Sequence, residues 1–357
     1  MKLSHLISKD PISHFFIFPL LHCKTPLKDR GFNLNFFTSI QASLFDCDIL
    51  LLDNRFFSSL WAKEAQKAFG LLEEIRKRVG RVIWLDVTDS TGATQFQVLP
   101  YVDRYWKKQL LKDRSLYMRE FYGARIYSEY YKNRFDLPSE EAFRCQPIDP
   151  KYLSKLDLSW NLALAPYHRF GLLNSLAHRL PLWLREMCFL KSDIVFSPWG
   201  ERNIDLGFRG SDRYNSKALG FQRIETKRIL ARRGVDTSPV PRWKYLNELF
   251  QTKIGVSPFG AGEICFRDFE IIQAGGVLLK PDMSHCETWP DLFIENETYV
   301  PFRWDFSDFH EVIDGLLRDQ EKIKGIAQTA QKRYQYFLSD SGKEEFCQRF
   351  IDQVKPQ

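Results

Sequence analysis

The sequence has no long uninterrupted hydrophobic run. The most apolar stretch near its start, Phe15 to Leu21, is short and contains Pro19. It falls below the roughly 18 apolar residues that a membrane-spanning helix needs, and it lacks the longer apolar core and small-residue cleavage site of a signal peptide. We therefore expect a cytoplasmic protein whose membrane contact, if any, is peripheral to the inner face. We predict that Phe15 to Leu21 forms the first buried strand.

Residue patterns that hold metal ions or disulfides are also missing. The seven cysteines are scattered and form no CxxC pair, and the seven histidines show no HExxH spacing. We interpret the cysteines as free thiols of a reducing compartment. The sequence predicts no required metal ion and no cofactor.

A strong charge of one sign is missing as well. The net charge is +6, with 51 basic and 45 acidic residues spread along the chain. No RNA- or DNA-binding motif accompanies this charge, so we expect no nucleic-acid partner. The mild excess fits an anionic small substrate or contact with an acidic membrane surface.

The N-terminal half alternates apolar strand-like runs with helical segments. Asp48 to Leu52 and Arg81 to Asp86 read as strands, and Trp61 to Val79 has the apolar spacing of a helix. Gln97 to Val102 continues the pattern, and Tyr105 to Asp113 is Lys-rich and amphipathic. Strands that alternate with helices predict an α/β fold with a parallel sheet covered on both faces.

A change of composition at SPWGERN, residues 197–203, indicates a linker between two α/β domains. The predicted N-terminal domain covers residues 1–198, and the C-terminal domain covers residues 199–340. The last segment, residues 341–357, has the composition of a helix. A length of 357 residues suits two domains of ordinary size.

The most informative segment is a glycine-rich loop between a strand and a helix. A strand at Lys253 to Ser257 leads to Gly260 and Gly262, and a predicted helix, Glu263 to Ala274, ends at Gly275. Glycines before a helix N-terminus let backbone N–H groups approach a phosphate. Helical spacing would put Glu263 and Glu270 on roughly one face. The alternative is a tight turn followed by a solvated acidic helix.

Residues 257–285 resemble the donor-binding segment of GT-B glycosyltransferases of group 1, whose C-terminal half is exostosin-like. The resemblance lies in Gly260 to Gly262, in Glu270, in the Ala-Gly-Gly turn at 274–276 and in Pro281. It implies two Rossmann-like domains that face a cleft, with the acceptor bound by the N-terminal domain and the nucleotide-sugar donor by the C-terminal domain. It also implies that the last helix, residues 341–357, crosses back to the N-terminal domain. It also implies that Glu270 binds the ribose of a nucleotide sugar. Many retaining members have a second glutamate with seven residues between, whereas six residues separate Glu263 from Glu270.

Further candidate donor-binding residues follow strands of the C-terminal half. Arg209 and Arg213 come after a strand at Ile204 to Phe208, where ligands bind in open α/β sheets, and could clamp a diphosphate. Arg267 could contact the nucleotide or pair with a glutamate on its own helix. His285 follows the next strand, near the base or sugar by the resemblance. The alternatives are surface arginines in a solvated loop and an ordinary loop histidine.

The candidate catalytic bases lie in the N-terminal half. Asp89, in DVTDSTG after the third predicted strand, could deprotonate an acceptor hydroxyl, or it could cap a helix. His168 is the alternative base, and Glu263 is a third catalytic candidate by the resemblance. A DCD motif at Asp46 to Asp48 precedes an apolar strand and does not read as a metal site.

The resemblance implies a metal-independent enzyme that moves a sugar from a nucleotide donor, with UDP favoured, to a glycan or lipid-linked acceptor. Cell-surface polysaccharide or lipopolysaccharide synthesis is the expected setting. Two alternatives stay open. One is a sugar-nucleotide epimerase or hydrolase, because the fold hosts these too, and the other is a non-catalytic glycan-binding or scaffold protein.

Overall fold

The computed structural model describes residues 1–138, 143–165, 180, 196–214 and 216–355. Within these residues the N-terminal part forms a six-stranded parallel sheet in the order β2-β1-β3-β4-β5-β7. The strands are β1 Lys2–Leu6, β2 Asn33–Phe37, β3 Ile49–Asp53, β4 Arg81–Asp86, β5 Arg104–Lys107 and β7 Leu156–Leu158. The predicted strands of this half, apart from the first, therefore coincide with β3 and β4.

The C-terminal part forms a second parallel sheet, with four strands among the described residues in the order β12-β10-β9-β8. These strands are β8 Ile204–Gly207, β9 Thr252–Val256, β10 Val277–Pro281 and β12 Val300–Phe302. A short antiparallel pair, β6 Gln109–Leu111 with β11 Cys286–Thr288, joins the two halves. The predicted boundary at residue 198 falls between the last strand of the first sheet and the first strand of the second.

Helices cover both sheets. In chain order they are α1 Pro11–His22, α2 Lys24–Asp29, α3 Ser58–Lys63, α4 Ala65–Arg78, α5 Ile126–Arg134, α6 Lys217–Arg232, α7 Arg242–Gln251, α8 Phe266–Ala274, α9 Phe309–Arg318, α10 Gln320–Leu338 and α11 Asp340–Val354. The last helix, α11, lies against the N-terminal sheet, where Arg349 and Gln353 both donate to the carbonyl of Leu158. Two parallel α/β units joined in this way confirm the predicted GT-B fold class.

The prediction of a first strand at Phe15 to Leu21 was wrong, because this segment lies in α1. Asp10 caps the helix by accepting a hydrogen bond from the backbone N–H of Ile12, and Pro11 occupies its first turn. Residues 13–21 are all buried, so α1 is enclosed on every side and its apolar residues show no helical periodicity. The first strand is β1, nine residues before Pro11 at its start.

Two further assignments differ from the sequence-based ones. The stretch from Gln97 to Val102 belongs to a 3-10 helix, Phe96–Tyr101, that contains Pro100. The Lys-rich segment from Tyr105 is divided between β5 and β6. Lys107 and Lys108 are buried, whereas Lys112, which follows β6, is exposed. The sequence also predicts a helix at Leu172 to Cys188 and a strand at Asp193 to Ser197. Apart from residues 180, 196 and 197, both segments lie outside the described residues.

Within the described part of the chain, no helix combines the length and the hydropathy that crossing a bilayer requires. The six described cysteines are all free thiols.

Candidate functional site

The glycine-rich loop, residues 257–265, connects β9 to α8 at the carboxyl end of the C-terminal sheet. The helix begins at Phe266, three residues later than predicted. Cys265 is the N-cap residue, and its backbone N–H donates to the Asp268 carboxylate at 2.9 Å. Gly275 ends the helix in the left-handed conformation, with φ of 78°. Glu263 therefore lies in the loop, and the predicted shared helical face with Glu270 was wrong.

Glu263 is fully buried and points into the N-terminal domain. Its carboxylate accepts hydrogen bonds from the Ser90 hydroxyl (3.2 Å), from the Thr91 backbone N–H (3.0 Å) and hydroxyl (2.7 Å), and from Gln109 Nε2 (2.8 Å). His285 Nε2 lies 3.7 Å from Glu263 Oε1. Burial alone would raise the pKa of Glu263, but the interactions with His285 and Thr91 outweigh it and lower the pKa to about 2. Glu263 thus ties the glycine loop to the opposite domain as a carboxylate.

Both glycines of the loop make close contacts, and the contact of Gly262 is with backbone that cannot easily move. A Cβ atom on Gly262 would overlap the carbonyl oxygen of Asp89, and one on Gly260 would overlap the guanidinium of Arg223. The loop therefore lies directly against the N-terminal domain on one side and against an arginine on the other.

Three arginines surround this loop and the first turn of α8. Arg125 Nε donates to the Ala261 carbonyl at 2.8 Å, Arg223 Nε donates to the Phe259 carbonyl at 3.2 Å, and Arg267 Nη2 donates to the Arg209 carbonyl at 2.9 Å. Arg267 Nε and Nη1 are buried without a hydrogen-bond partner. None of the three guanidinium groups pairs with a carboxylate among the described residues.

Tyr214 shows that the three guanidinium groups share one neighbourhood. Burial raises the pKa of Tyr214, and the charges of Arg223, Arg267 and Arg125 each oppose that rise. The Arg223 guanidinium also lies over the Tyr214 ring at 5.3 Å. These three guanidinium groups, none of them in ion-pair contact with a carboxylate among the described residues, form the arginine cluster of Arg125, Arg223 and Arg267 beside the N-terminus of α8. Burial lowers the pKa of Arg267, but the nearby side chains of Cys265, Tyr245, Asp268 and Glu270 outweigh it and raise that pKa.

Glu270 lies on α8 and faces α7. Its carboxylate accepts a hydrogen bond from Arg242 Nη2 at 2.9 Å and another from the Tyr245 hydroxyl at 2.7 Å. Tyr245 also lines a pocket of about 460 Å³ between β8 and α7, together with Arg209 and Arg267. The Tyr245 side chain therefore separates Glu270 from this pocket.

Arg209 has its own acidic partners. Its guanidinium donates to Glu248 at 2.8 and 3.0 Å, to Asp236 at 3.0 Å and to the Ser238 carbonyl at 2.8 Å. A diphosphate would have to displace these partners, in contrast to the arginine cluster. Arg213 is exposed on the same loop.

Asp89 lies at the domain interface, as the loop after β4 runs past Gly262. Lys108 Nζ lies 2.8 Å from its carboxylate and lowers the pKa of Asp89. A lowered pKa makes a carboxylate a weaker proton acceptor. Neighbouring Asp86 is buried, and its carboxylate already accepts hydrogen bonds from the Tyr105 hydroxyl (2.5 Å) and Lys107 Nζ (3.1 Å). The other candidate base, His168, lies outside the described residues.

His285 follows β10 and packs between aromatic rings. Its ring lies 5.0 Å from that of Trp304 and 6.1 Å from that of Phe259, at steep angles in both pairs. Neither ring nitrogen makes a hydrogen bond. His285 therefore lies between the glycine loop and the loop that follows β12.

Sequence reasoning missed Arg125 and Arg223. Arg125 is 136 residues away from the carbonyl that it binds, and no local pattern connects the two. Arg223 lies in a segment, Asn215 to Arg233, whose sequence predicts a basic helix. Only the tertiary structure distinguishes it from Arg228 on the same helix, which is exposed and pairs with Glu225. Among the described residues no three histidine, cysteine or acidic side chains form a metal-binding group, and metal independence stays a prediction.

No family model matches the sequence, and no curated protein does. Solved structures resemble it over nearly the full length of both chains. HepE of Anabaena, solved with UDP-glucose, is 9% identical, with 99% and 100% of the two chains covered and a TM-score of 0.44. Sucrose-phosphate synthase of Thermosynechococcus elongatus is 10% identical, with 99% of each chain covered and a TM-score of 0.44. A glycosyltransferase of Rickettsia africae is 10% identical, covering 99% and 97%, with a TM-score of 0.42.

Proposed function

We propose that this protein is a nucleotide-sugar-dependent glycosyltransferase whose donor diphosphate binds at the arginine cluster. The observation that supports this most directly is the set of three guanidinium groups that have no carboxylate partner. Buried or half-buried charges are normally paired, because an unpaired one loses its hydration without compensation. An anion is the ligand that such a site lacks.

The chemistry of a diphosphate fits this arrangement better than that of a single carboxylate. Guanidinium groups bind phosphate oxygens with two parallel hydrogen bonds, and several of them can share the two phosphates. The N-terminus of α8 adds its partial positive charge. When the sugar leaves, negative charge develops on the diphosphate, and fixed cations stabilise it most at that point.

We assign the remaining donor contacts to the neighbouring residues. Glu270 would accept hydrogen bonds from the ribose hydroxyls after its Arg242 and Tyr245 contacts rearrange. The 460 Å³ pocket beside Tyr245 would receive the base. We propose UDP as the first nucleotide to test, and a glycan or lipid-linked acceptor of surface polysaccharide or lipopolysaccharide synthesis.

The test is a thermal-shift panel with UDP, GDP, CMP, ADP and dTDP on the wild type, on Arg223→Gln and on Arg228→Gln. One nucleotide at a hundredfold excess over its Kd should stabilise the wild type by about 2.7 kcal/mol. Arg223→Gln should lose most of that shift, because a neutral side chain replaces one unpaired guanidinium. Arg228→Gln is the matched control on the same helix, and it should keep the shift.

Two results would contradict the proposal. One is a panel in which no nucleotide shifts the wild type. The other is a shift that Arg223→Gln and Arg228→Gln retain equally, because the nucleotide would then bind away from the arginine cluster.

A further inference from the structure

A second concavity lies near the glycine loop, because two of its lining residues, His285 and Trp304, pack against Phe259 of that loop. It has a volume of about 740 Å³ and is formed by the loops that follow β10 and β12, with Tyr130 of α5 closing one wall. The adjacent strands are parallel, so both loops leave the same edge of the sheet. This edge is where open α/β sheets bind ligands. We call this concavity the Trp304 groove, after the residue on the loop that follows β12.

The Trp304 groove presents a fixed indole ring. Trp304 Nε1 donates to the Asp282 carbonyl at 2.9 Å. The rings of Tyr130, His285 and Phe259 pack against Trp304 at angles of 84°, 88° and 79°. No aromatic ring of the described residues stacks in parallel on the indole. A flat, anchored and half-buried indole is a surface on which the apolar face of another ring can pack.

The charge of the groove is opposite to that of the arginine cluster. Four carboxylates line it, while Arg303 is the basic residue of its lining; the acidic residues are Asp282, Glu295, Asp305 and Asp308. Three of them are oriented by their own loops, because Asp282 accepts from Ser284 N–H, Asp305 from Ser307 N–H and Asp308 from Arg303 N–H, at 2.9 to 3.0 Å. None of the four makes an ion pair within the part of the chain that the structure describes.

The ligand of such a groove is a hydrogen-bond donor without negative charge. Carboxylates are acceptors only, so they bind hydroxyl or ammonium groups and repel phosphates and other carboxylates. A pyranose ring combines an apolar C–H face for the indole with several hydroxyl groups for the carboxylates. A nucleoside diphosphate suits the arginine cluster and is repelled here.

The glycine loop connects the two sites. Phe259 packs against both Trp304 and His285, at 6.0 and 6.1 Å, and the carbonyl of the same residue accepts the hydrogen bond from Arg223. The two ligands would therefore both lie beside this loop. We propose that the Trp304 groove binds an uncharged or amino-bearing pyranose unit of the acceptor and excludes acidic sugars. This assignment of the sugar as acceptor rests on the proposed function.

The test is ligand-observed saturation-transfer NMR with methyl glycosides of glucose, galactose, mannose and glucosamine, and with methyl β-D-glucuronide. The glucuronide differs from the glucoside by a carboxylate. We expect at least one uncharged or amino glycoside to bind with a Kd in the millimolar range, and the glucuronide to bind at least tenfold more weakly. Trp304→Ala should lose binding, and Trp304→Phe should keep most of it because an aromatic face remains.

Two further variants sharpen the test. Asp305→Asn keeps the shape of the side chain and one hydrogen-bond-accepting oxygen but removes the negative charge. It should therefore reduce the ratio of glucoside affinity to glucuronide affinity several-fold. Trp243→Ala removes an indole that is 67% exposed on α7, outside the groove, and should leave glycoside binding unchanged. Thermal melting of each variant identifies any loss of fold, and Trp304→Phe keeps the test decisive if Trp304→Ala is unstable.

The proposal is overturned if no glycoside binds at 50 mM, with or without the nucleotide that shifts the melting temperature. It is also overturned if Trp304→Ala binds glycosides as the wild type does, or if the glucuronide binds as tightly as the glucoside. The change in melting temperature that the nucleotide causes in the same variants distinguishes the two proposals. Trp304→Ala should keep the nucleotide shift, whereas failure of the donor proposal would abolish that shift in the wild type too.

Discussion

At the scale of single residues, Gly262 sets how closely the two domains approach. Its Cα faces the carbonyl of Asp89, and a methyl group there would overlap that carbonyl. Backbone atoms cannot move aside as a flexible side chain can, so the domains or the loop would have to shift. This contact with the opposite domain is enough to explain why residue 262 is a glycine, and no ligand needs to be invoked.

We predict that Gly262→Ala destabilises the protein by about 1–3 kcal/mol, as overpacking of a close contact usually does, and weakens nucleotide binding. Gly315→Ala is the control, because Gly315 lies inside α9 with open space around it. That change should stabilise the protein by up to about 1 kcal/mol through helix propensity. Urea unfolding measures both. Equal effects of the two substitutions would show that the Gly262 contact is unimportant.

The residue scale also shows what the sequence could not predict. Gly260, Gly262 and Glu263 could be selected from the sequence, because the glycine pattern before a helix is local, and their donor-binding and catalytic roles stay predictions. Their partners Arg125 and Gln109 come from the other domain. Contacts of this kind depend on how the domains pack, and no spacing rule encodes them.

At the scale of elements, Asp268 decides where α8 begins. Its carboxylate accepts from the Cys265 backbone N–H, from the Ser257 hydroxyl at 2.5 Å, and pairs with Lys280 at 3.0 Å, with both charged side chains fully buried. An acid at the third helical position is a capping signal that can be read from sequence. Applying it here would have started α8 at Phe266 instead of Glu263.

We predict that Asp268→Ala costs about 3–5 kcal/mol of unfolding free energy, because it leaves the Lys280 charge buried without a partner. Asp319→Ala is the matched control. Asp319 caps α10 with a single bond to the Lys322 N–H and has no buried partner, so its loss should cost about 1 kcal/mol. Urea midpoints distinguish the two. A cost near 1 kcal/mol for Asp268→Ala would mean that Lys280 finds another partner or loses its charge.

The elements that the sequence predicted well have a clear local signal. Arg81–Asp86 is a buried strand between a helix end and a turn, and Gly275 ends α8 in the conformation that glycine adopts most easily. Phe15 to Leu21 was misassigned because full burial removes the periodicity that separates helix from strand. Asp10 as a helix cap, followed by Pro11 in the first turn, was the sequence signal that could have identified this segment as a helix.

At the scale of the whole molecule, Glu263 joins the two domains through a buried carboxylate. Its pKa of about 2 lies below the ordinary value of 4.5. A depressed pKa contributes stability that is fully present above pH 4.5 and is lost as the pH falls towards 2. A difference of this size corresponds to about 3 kcal/mol.

We predict that Glu263→Gln is less stable than the wild type at pH 7 by about 2–3 kcal/mol, and that this difference shrinks steadily between pH 4.5 and 2. Chemical unfolding at a series of pH values gives the free energy of unfolding of the wild type and of Glu263→Gln as a function of pH. Glu225→Gln removes a helical-surface carboxylate of the same domain and should leave the wild-type pH dependence unchanged. A difference between Glu263→Gln and wild type that is independent of pH would contradict the ionised state assigned to Glu263.

The overall architecture places a positively charged site and a negatively charged groove beside the same loop, at the junction of two α/β domains. The fold class could be predicted from the alternation of strands and helices. The separation of charge could not, because it depends on which basic and acidic side chains find partners in the folded chain. That separation is the physical basis of the proposed division between donor and acceptor.

The most direct test of the central claim is titration calorimetry of the wild type with a nucleoside diphosphate, its monophosphate and the free nucleoside, beginning with UDP, UMP and uridine. If the arginine cluster binds the diphosphate, the diphosphate should bind at least tenfold more tightly than the monophosphate, and Arg125→Gln with Arg223→Gln should remove that advantage. Equal affinity for the diphosphate and the monophosphate, or the absence of binding across all five bases of the panel, would contradict the account.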